Sequence, residues 1–335
     1  MNPTDYDPSI QALLGQCQAD WGDPLVNRAN LVPYGIKPLD LALYGLDIEN
    51  GEVDLILGPE KQRKTTLAEN ILCNYMTSEK PAIKPFTVVD TLESGMPPKR
   101  YRDSLISIMA TRYLLAQGHK PRELCPVCGT PKCRQLGISP EFLRFNTRTQ
   151  EQQAAIQGAI EAMMGWPLYI FGANPFQGDT RNLAAAVRGK GARWERLIQE
   201  ANAKVFIVDH VQQYAFDADT TDYEKQLRAV SAISDVVAQW RVVCLLLSQV
   251  SLTSLREARS GNGKMGAAGG QKAAQEANVV LSVNYQPGSG QMKISIEESR
   301  KSATFAIWQN LEDTSGCFYG EARRSSQAMD EKEAL

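Results

Sequence analysis

The chain has 335 residues, 43% of them apolar and 22% charged, with a formal net charge of −2. That length holds one large α/β domain or two small ones, and the charge balance excludes a wholly basic nucleic-acid coat while allowing a local basic channel. No stretch approaches the ~20 consecutive apolar residues of a membrane span, and the acidic, polar start MNPTDYDPSIQ lacks the form of a secretion signal.

The first 30 residues contain a short amphipathic helix, about Ile10 to Gln18, and then polar, turn-rich sequence. Their apolar surface is too small to fold alone, so residues 1–30 are expected to be a linker or docking segment. Asn30 to Leu46 leads into a buried strand from Val53 to Leu57, and apolar spacing continues as a helix from Leu67 to Met76. Strands are expected at Phe86 to Asp90, Leu168 to Phe171, Val205 to Val208 and Val242 to Leu247. Between them fall helical patterns at Tyr101 to Leu115, Gln150 to Met164, Leu183 to Ala201 and Tyr223 to Trp240. The last part reads as antiparallel: Val279 to Asn284, a turn at 286–290, Met292 to Glu298 and Thr304 to Asn310. From Glu321 to the end the sequence is charged and reads as a disordered tail. The pattern predicts one domain over 31–320, an α/β fold with a largely parallel sheet and antiparallel strands at its C-terminal edge. There is no internal repeat.

Residues 51–67, GEVDLILGPEKQRKTTL, carry the sharpest chemical signal. An apolar strand runs into a loop formed by Gly58, Pro59, Glu60, Lys61, Gln62 and Arg63, and Lys64, Thr65 and Thr66 then open a helix. Such a loop turns backbone N–H groups and a helix N-terminus, with its partial positive charge, toward phosphate oxygens. Lys64 would reach the β- and γ-phosphates of ATP, and the Thr65 hydroxyl would hold Mg²⁺. Arg63 stands where glycine is usual. An arginine fits there if its side chain points away from the nucleotide; the competing reading is a loop that has lost nucleotide binding.

An ATPase also needs an acid near Mg²⁺ and a group to activate water, placed at the carboxyl ends of neighbouring strands. Asp209 ends the run Val205 to Val208 and suits a second Mg²⁺ contact. Glu93 follows the strand ending at Asp90 and is the candidate base, and Gln249 follows Val242 to Leu247 and could sense the γ-phosphate.

From about residue 33 to 319 the chain resembles the RecA-fold ATPase domain of DnaB-type replicative helicases, a P-loop NTPase of helicase superfamily 4. The matching stretches are YGIKPLDLALYGLDIENGEVDLILG, KTTLAENI, DTLESG, PLYI, VFIVDHVQQY, CLLLSQV and QEANVVL, in shared order; GPEKQRKTTL also looks like RecA apart from Arg63. The resemblance implies ATP hydrolysis with Glu93 as catalytic base, Lys64 and Thr65 on nucleotide and Mg²⁺, Asp209 as the Walker B acid and Gln249 as the sensor. It further implies a homo-oligomeric ring, a hexamer, threading single-stranded DNA through loops at 210–222 and 251–270, and contact with a replication loader or primase. The second loop places Arg256, Arg259 and Lys264 among glycines, which suits phosphate contact; a solvated basic loop is the plainer reading. The first loop is acidic.

Two departures stand out. The family's Lys-x-Arg pair, which reaches a neighbour's ATP, corresponds here to Glu298-Ser299-Arg300-Lys301, which makes Arg300 the finger candidate and leaves the lysine missing. The family's separate N-terminal helical domain is expected to have only residues 1–30 in its place. A regulator or loader that uses ATP without unwinding DNA is the alternative expectation.

Cys125-Pro-Val-Cys128-Gly, with Cys133 and His119, forms a second motif within an insertion at 118–137. Two thiolates across a tight turn, completed by Cys133 and His119, would make a tetrahedral zinc site that helps fold the insertion; reduced cysteines in a loop are the alternative. Seven cysteines, several in apolar contexts, point to a reducing cytoplasm.

Overall fold

The computed structural model describes residues 31–79, 84–91, 97–119, 138–141, 143, 149–172, 193–211, 222–249, 276–286 and 290–324. A small ribbon comes first, β1 (Leu31–Val32) and β2 (Leu46–Asp47), with α1 (Lys37–Leu43) between them. The parallel strands are β3 (Glu52–Gly58), β4 (Phe86–Thr91), β5 (Leu168–Gly172), β6 (Ala203–Asp209), β7 (Val243–Gln249) and β8 (Val279–Gln286). Helices α2 (Lys64–Thr77), α3 (Pro98–Ala116), α4 (Gln150–Met164), α5 (Arg193–Ala201) and α6 (Asp222–Trp240) lie among them in sequence. Three antiparallel strands follow: β9 (Gln291–Ser299), β10 (Ala306–Leu311) and β11 (Phe318–Arg324). The nine-stranded sheet has the order β11-β10-β9-β8-β3-β7-β6-β4-β5.

All seven residues of β3 are buried, as expected of a central parallel strand covered on both faces. Alternation along the strands divides the core. Ile56, Val205, Ile207, Leu245 and Leu247 pack on one side with Leu67, Ile71, Tyr101 and Leu105 from α2 and α3. Leu55, Leu57, Phe206, Val208 and Leu246 pack on the other side with Trp194, Ile198, Ile233 and Val236 from α5 and α6. Helix α4 adds an outer layer, its Ala155, Ile156 and Ala159 against Ile106, Ala110 and Leu114 of α3. It starts where it does because of a reciprocal cap: Gln152 N donates to Thr149 Oγ1 at 3.2 Å and Thr149 N to Gln152 Oε1 at 3.1 Å.

Two features differ from the sequence expectation. Strand β8 is parallel to β3 on one side, with Asp54 level with Val279, and antiparallel to β9 on the other. It is the pivot between the two halves of the sheet, which its short apolar run does not reveal. Residues Glu321–Arg324, expected in a disordered tail, are instead strand: β11 pairs with β10 from Leu311↔Phe318 to Ile307↔Arg324. An outer strand tolerates charged residues because one edge meets solvent, and its composition therefore mimics a tail. The helix expected from Leu183 is described only as Arg193–Ala201, and the one from Ile10 lies outside the described residues. Among the described residues, no helix is long and apolar enough to cross a membrane.

Candidate nucleotide site

Strand register gathers the predicted residues at one edge. Gly58 of β3 is level with Gln249 of β7, and Asp209 of β6 is level with Thr91 of β4. Four adjacent parallel strands thus end together, the location where open α/β sheets bind ligands. Glu93 belongs to the segment leaving β4, two residues past Thr91, and lies outside the described residues.

The loop closes on itself. Lys64 is buried, and its Nζ donates to the carbonyls of Gly58 at 2.9 Å and Pro59 at 2.8 Å. An ammonium so placed lies across the loop that would wrap a phosphate chain. Gly58 is required by close packing: a Cβ there would come 2.8 Å from Val283 Cγ2 of β8 and 3.2 Å from Lys64 Cγ. Glu60 and Lys61 form the exposed crown of the loop, with Lys61 at φ 63°. Arg63 precedes the helix at φ 64° and ψ 31°, the left-handed region that explains the usual glycine at this position. Its guanidinium turns toward β8 and the turn after β10, where Nη2 donates to Asp313 O at 3.0 Å and Cζ lies 5.3 Å from the Tyr285 ring centroid.

Thr65 Oγ1 donates to Asp209 Oδ2 at 2.7 Å, joining the helix start to the end of β6. Asp209 is fully buried, and His210 Nδ1 lies 2.8 Å from its other oxygen. An alcohol oxygen and a carboxylate side by side are the hard oxygen donors Mg²⁺ prefers, so these residues fit that ion.

A polar cavity of about 290 Å³ continues beside the loop, lined among others by Arg63, Thr65, Glu69, Arg100, Ser104 and Asp313. Glu69, one helical turn past Thr65, is 2% exposed and its carboxyl is pushed up to about 8, chiefly by burial. Sequence reasoning missed Glu69, although an acid inside an otherwise apolar helical stretch is a readable signal. It also missed the turn at 312–317, which Asn70 binds through Nδ2 to Gly316 O at 2.7 Å and through Oδ1 from Phe318 N at 3.0 Å. Nothing in the local sequence marks that long-range contact.

Arg300 is elsewhere. It follows β9 at the opposite edge of the sheet, where its N–H donates to Asn278 O at 3.0 Å. The level of Val279 is four residues of β3 below Gly58, about 13 Å at ordinary strand rise. Lys301 is engaged within its own chain, with Nζ 2.6 Å from Glu52 Oε2 and 2.8 Å from Gly45 O. Arg256, Arg259, Lys264, Cys125, Cys128 and Cys133 lie outside the described residues. His119 ends up beside an acid, its Nε2 3.9 Å from Glu151 Oε2. Among the described residues, no group of three or more His, Cys, Asp or Glu could hold a metal ion.

No protein-family model and no curated protein matches the sequence. Solved structures do match the fold. The ATPase domain of a DnaB-like helicase superposes with a TM-score of 0.69 at 14% identity, over 94% of this chain and 99% of that one. A DnaB-like replicative helicase, solved in a study of its interactions with primase, gives 0.64 at 13% identity, over 94% of this chain and 67% of its own. A KaiC-like protein from the hyperthermophilic archaeon Pyrococcus horikoshii gives 0.51 at 13% identity, over 87% and 99%. The chain therefore has the RecA-type fold of DnaB-like helicase ATPase domains.

Proposed function

We propose that this chain is an ATP hydrolase of the DnaB-like kind, assembling into a ring, hexameric by resemblance, that moves along single-stranded DNA. The observation that carries this reading is the Thr65–Asp209 contact of 2.7 Å beside a lysine folded over its own phosphate loop. Mg²⁺, when bound there, would neutralise charge on the β- and γ-phosphates. The chain's own residues do the rest: the loop N–H groups and Lys64 hold the triphosphate, and Asp209 fixes the Thr65 hydroxyl. Glu93, just beyond β4, takes the proton of the attacking water, and Gln249 at the end of β7 faces the same edge. Positioning and charge stabilisation carry most of the barrier in such transfers. Arg256, Arg259 and Lys264 are the proposed DNA contacts, a reading that rests on loop composition and family order. A loader or primase as partner, and a cytoplasmic setting, rest on that resemblance and on the cysteine usage.

Purified protein should hydrolyse ATP, and faster with single-stranded oligonucleotide added; Lys64→Ala should lower the rate at least about a hundredfold. An unchanged rate in that variant ends the assignment. The regulator or loader reading keeps one specific observation in its favour. Ser299, at the family's lysine position, spends its hydroxyl on the N–H groups of Lys301 at 2.9 Å and Ser302 at 3.1 Å. Unwinding of a forked duplex distinguishes the two, since a regulator hydrolyses ATP without it.

The Cys125, Cys128, Cys133 and His119 set is proposed to hold zinc on its spacing alone. Metal analysis should find zinc in the wild type and not in a Cys125→Ser, Cys128→Ser double variant; equal zinc in both removes the proposal.

A further inference from the structure

Arg63 occupies a backbone conformation that costs a non-glycine residue, so something must compensate it. The surroundings show what does. Tyr285, on β8, touches the phosphate loop twice and the turn after β10 once. Its N–H donates to Gln62 Oε1 at 2.6 Å, its ring lies 5.3 Å from the Arg63 guanidinium, and its Oη donates to Asp313 Oδ1 at 2.5 Å. Arg63 closes the circuit by donating to Asp313 O at 3.0 Å.

The turn that receives these bonds is itself rigidly built. Glu312 Oε2 accepts from Ser315 N at 2.7 Å and Ser315 Oγ at 2.6 Å, and Gly316 N donates to Glu312 O at 2.8 Å. Asn70 ties the same turn to α2. At Gly316, φ is +74° and an added Cβ would sit 2.9 Å from Thr66 Cγ2, so the turn rests directly on the helix start. The phosphate loop is thus held at its far end between a strand of the sheet and a braced turn.

We propose that Arg63 is a positioning residue that locks the phosphate loop in its nucleotide-binding shape by pinning it to Tyr285 and the Asp313 turn. Glycine at this position permits the left-handed turn by being free, whereas this chain enforces it with bonds. The phenol supports the assignment: burial first, then the Asp313 carboxylate, push Tyr285 up to about 12, which keeps it a donor. The guanidinium fork matters because Arg63 must give a directed hydrogen bond and lie on a ring together, which a lysine ammonium does poorly. Loop pre-organisation would then appear in affinity, since a disordered loop must be ordered when nucleotide arrives.

This inference rests on the nucleotide-binding reading, and the test separates the two. ATP affinity with Mg²⁺ and thermal midpoint are measured for wild type, Arg63→Gly, Arg63→Lys and Tyr285→Phe. Glycine relieves backbone strain, so a residue that merely fills space predicts an equal or higher midpoint and unchanged affinity for Arg63→Gly. The lock predicts no gain in affinity from that relief: Arg63→Gly binds about tenfold more weakly, Arg63→Lys weakens similarly, and Tyr285→Phe weakens by a smaller factor. Wild-type affinity in Arg63→Gly overturns the lock. Full affinity in Arg63→Lys alongside loss in Arg63→Gly also overturns it, because charge alone would then suffice. A wild type with no ATP affinity is a different result, and removes the function rather than the lock.

Discussion

Glu69 shows how one residue of the site shapes the whole chain's response to pH. Burial raises its carboxyl from 4.5 to about 8; the Ser104 hydrogen bond acts against that, the Asp209 charge adds to it, and Arg63 and Arg100 oppose it. Between those two values the folded chain holds a proton that the unfolded chain has released. Stability therefore falls as pH rises through that window, by at most about 1.4 kcal/mol per pH unit for one group. Glu69→Gln keeps the shape and removes the titration. Urea unfolding between pH 5 and 8 should show a flatter dependence in the variant and a higher midpoint than wild type at pH 8; matching slopes would contradict this. Lys64, Thr65 and Asp209 were legible in the sequence because their chemistry is written locally, as a strand followed by a loop and a helix start, or a strand ending in an acid. Glu69 was overlooked because helical spacing alone makes it look like one polar residue on a turning surface, and its burial under α3 depends on tertiary packing.

Among the elements, the parallel half of the sheet was readable and the antiparallel half only partly so. Strands β3, β6 and β7 are covered on both faces, so their sequences are unbroken apolar runs with an abrupt polar end. Helix α3 begins at Pro98, three residues before its apolar pattern becomes visible at Tyr101. Strand β8 looks like a simple hairpin arm, yet it pairs with β3 in the opposite sense from β9. That double role follows from long-range pairing, which no local pattern encodes. The same holds for the amino end of β3, where Glu52 and Asp54 lie buried beneath Lys301 and Tyr34. Burial raises both carboxyls, and Lys301 counteracts it. The family finger region is thereby anchored to the base of the sheet, and Arg300 sits on an anchored turn.

For the whole molecule, the sheet separates Arg300 from its own phosphate loop. Gly58 and Asn278 lie at opposite ends of the β3–β8 pair, so an arginine at the lower edge can complete an ATP site only across a subunit boundary. Arg300→Ala should then bind ATP with wild-type affinity and hydrolyse it poorly. Mixed with the inactive Lys64→Ala chain, it should recover part of the activity, because some interfaces pair an intact loop with an intact arginine. No recovery, or full hydrolysis by Arg300→Ala alone, contradicts a role in trans.

Beneath these expectations lies the capacity of the loop from Gly58 to Thr66 to take Mg²⁺ and a nucleoside triphosphate. Titration calorimetry of the folded wild type with ATP and Mg²⁺ tests it most directly. The account predicts saturable binding near one nucleotide per chain, weakened by chelating Mg²⁺ and lost in Lys64→Ala. An absence of heat from well-folded wild-type protein, or undiminished binding in Lys64→Ala, would contradict it.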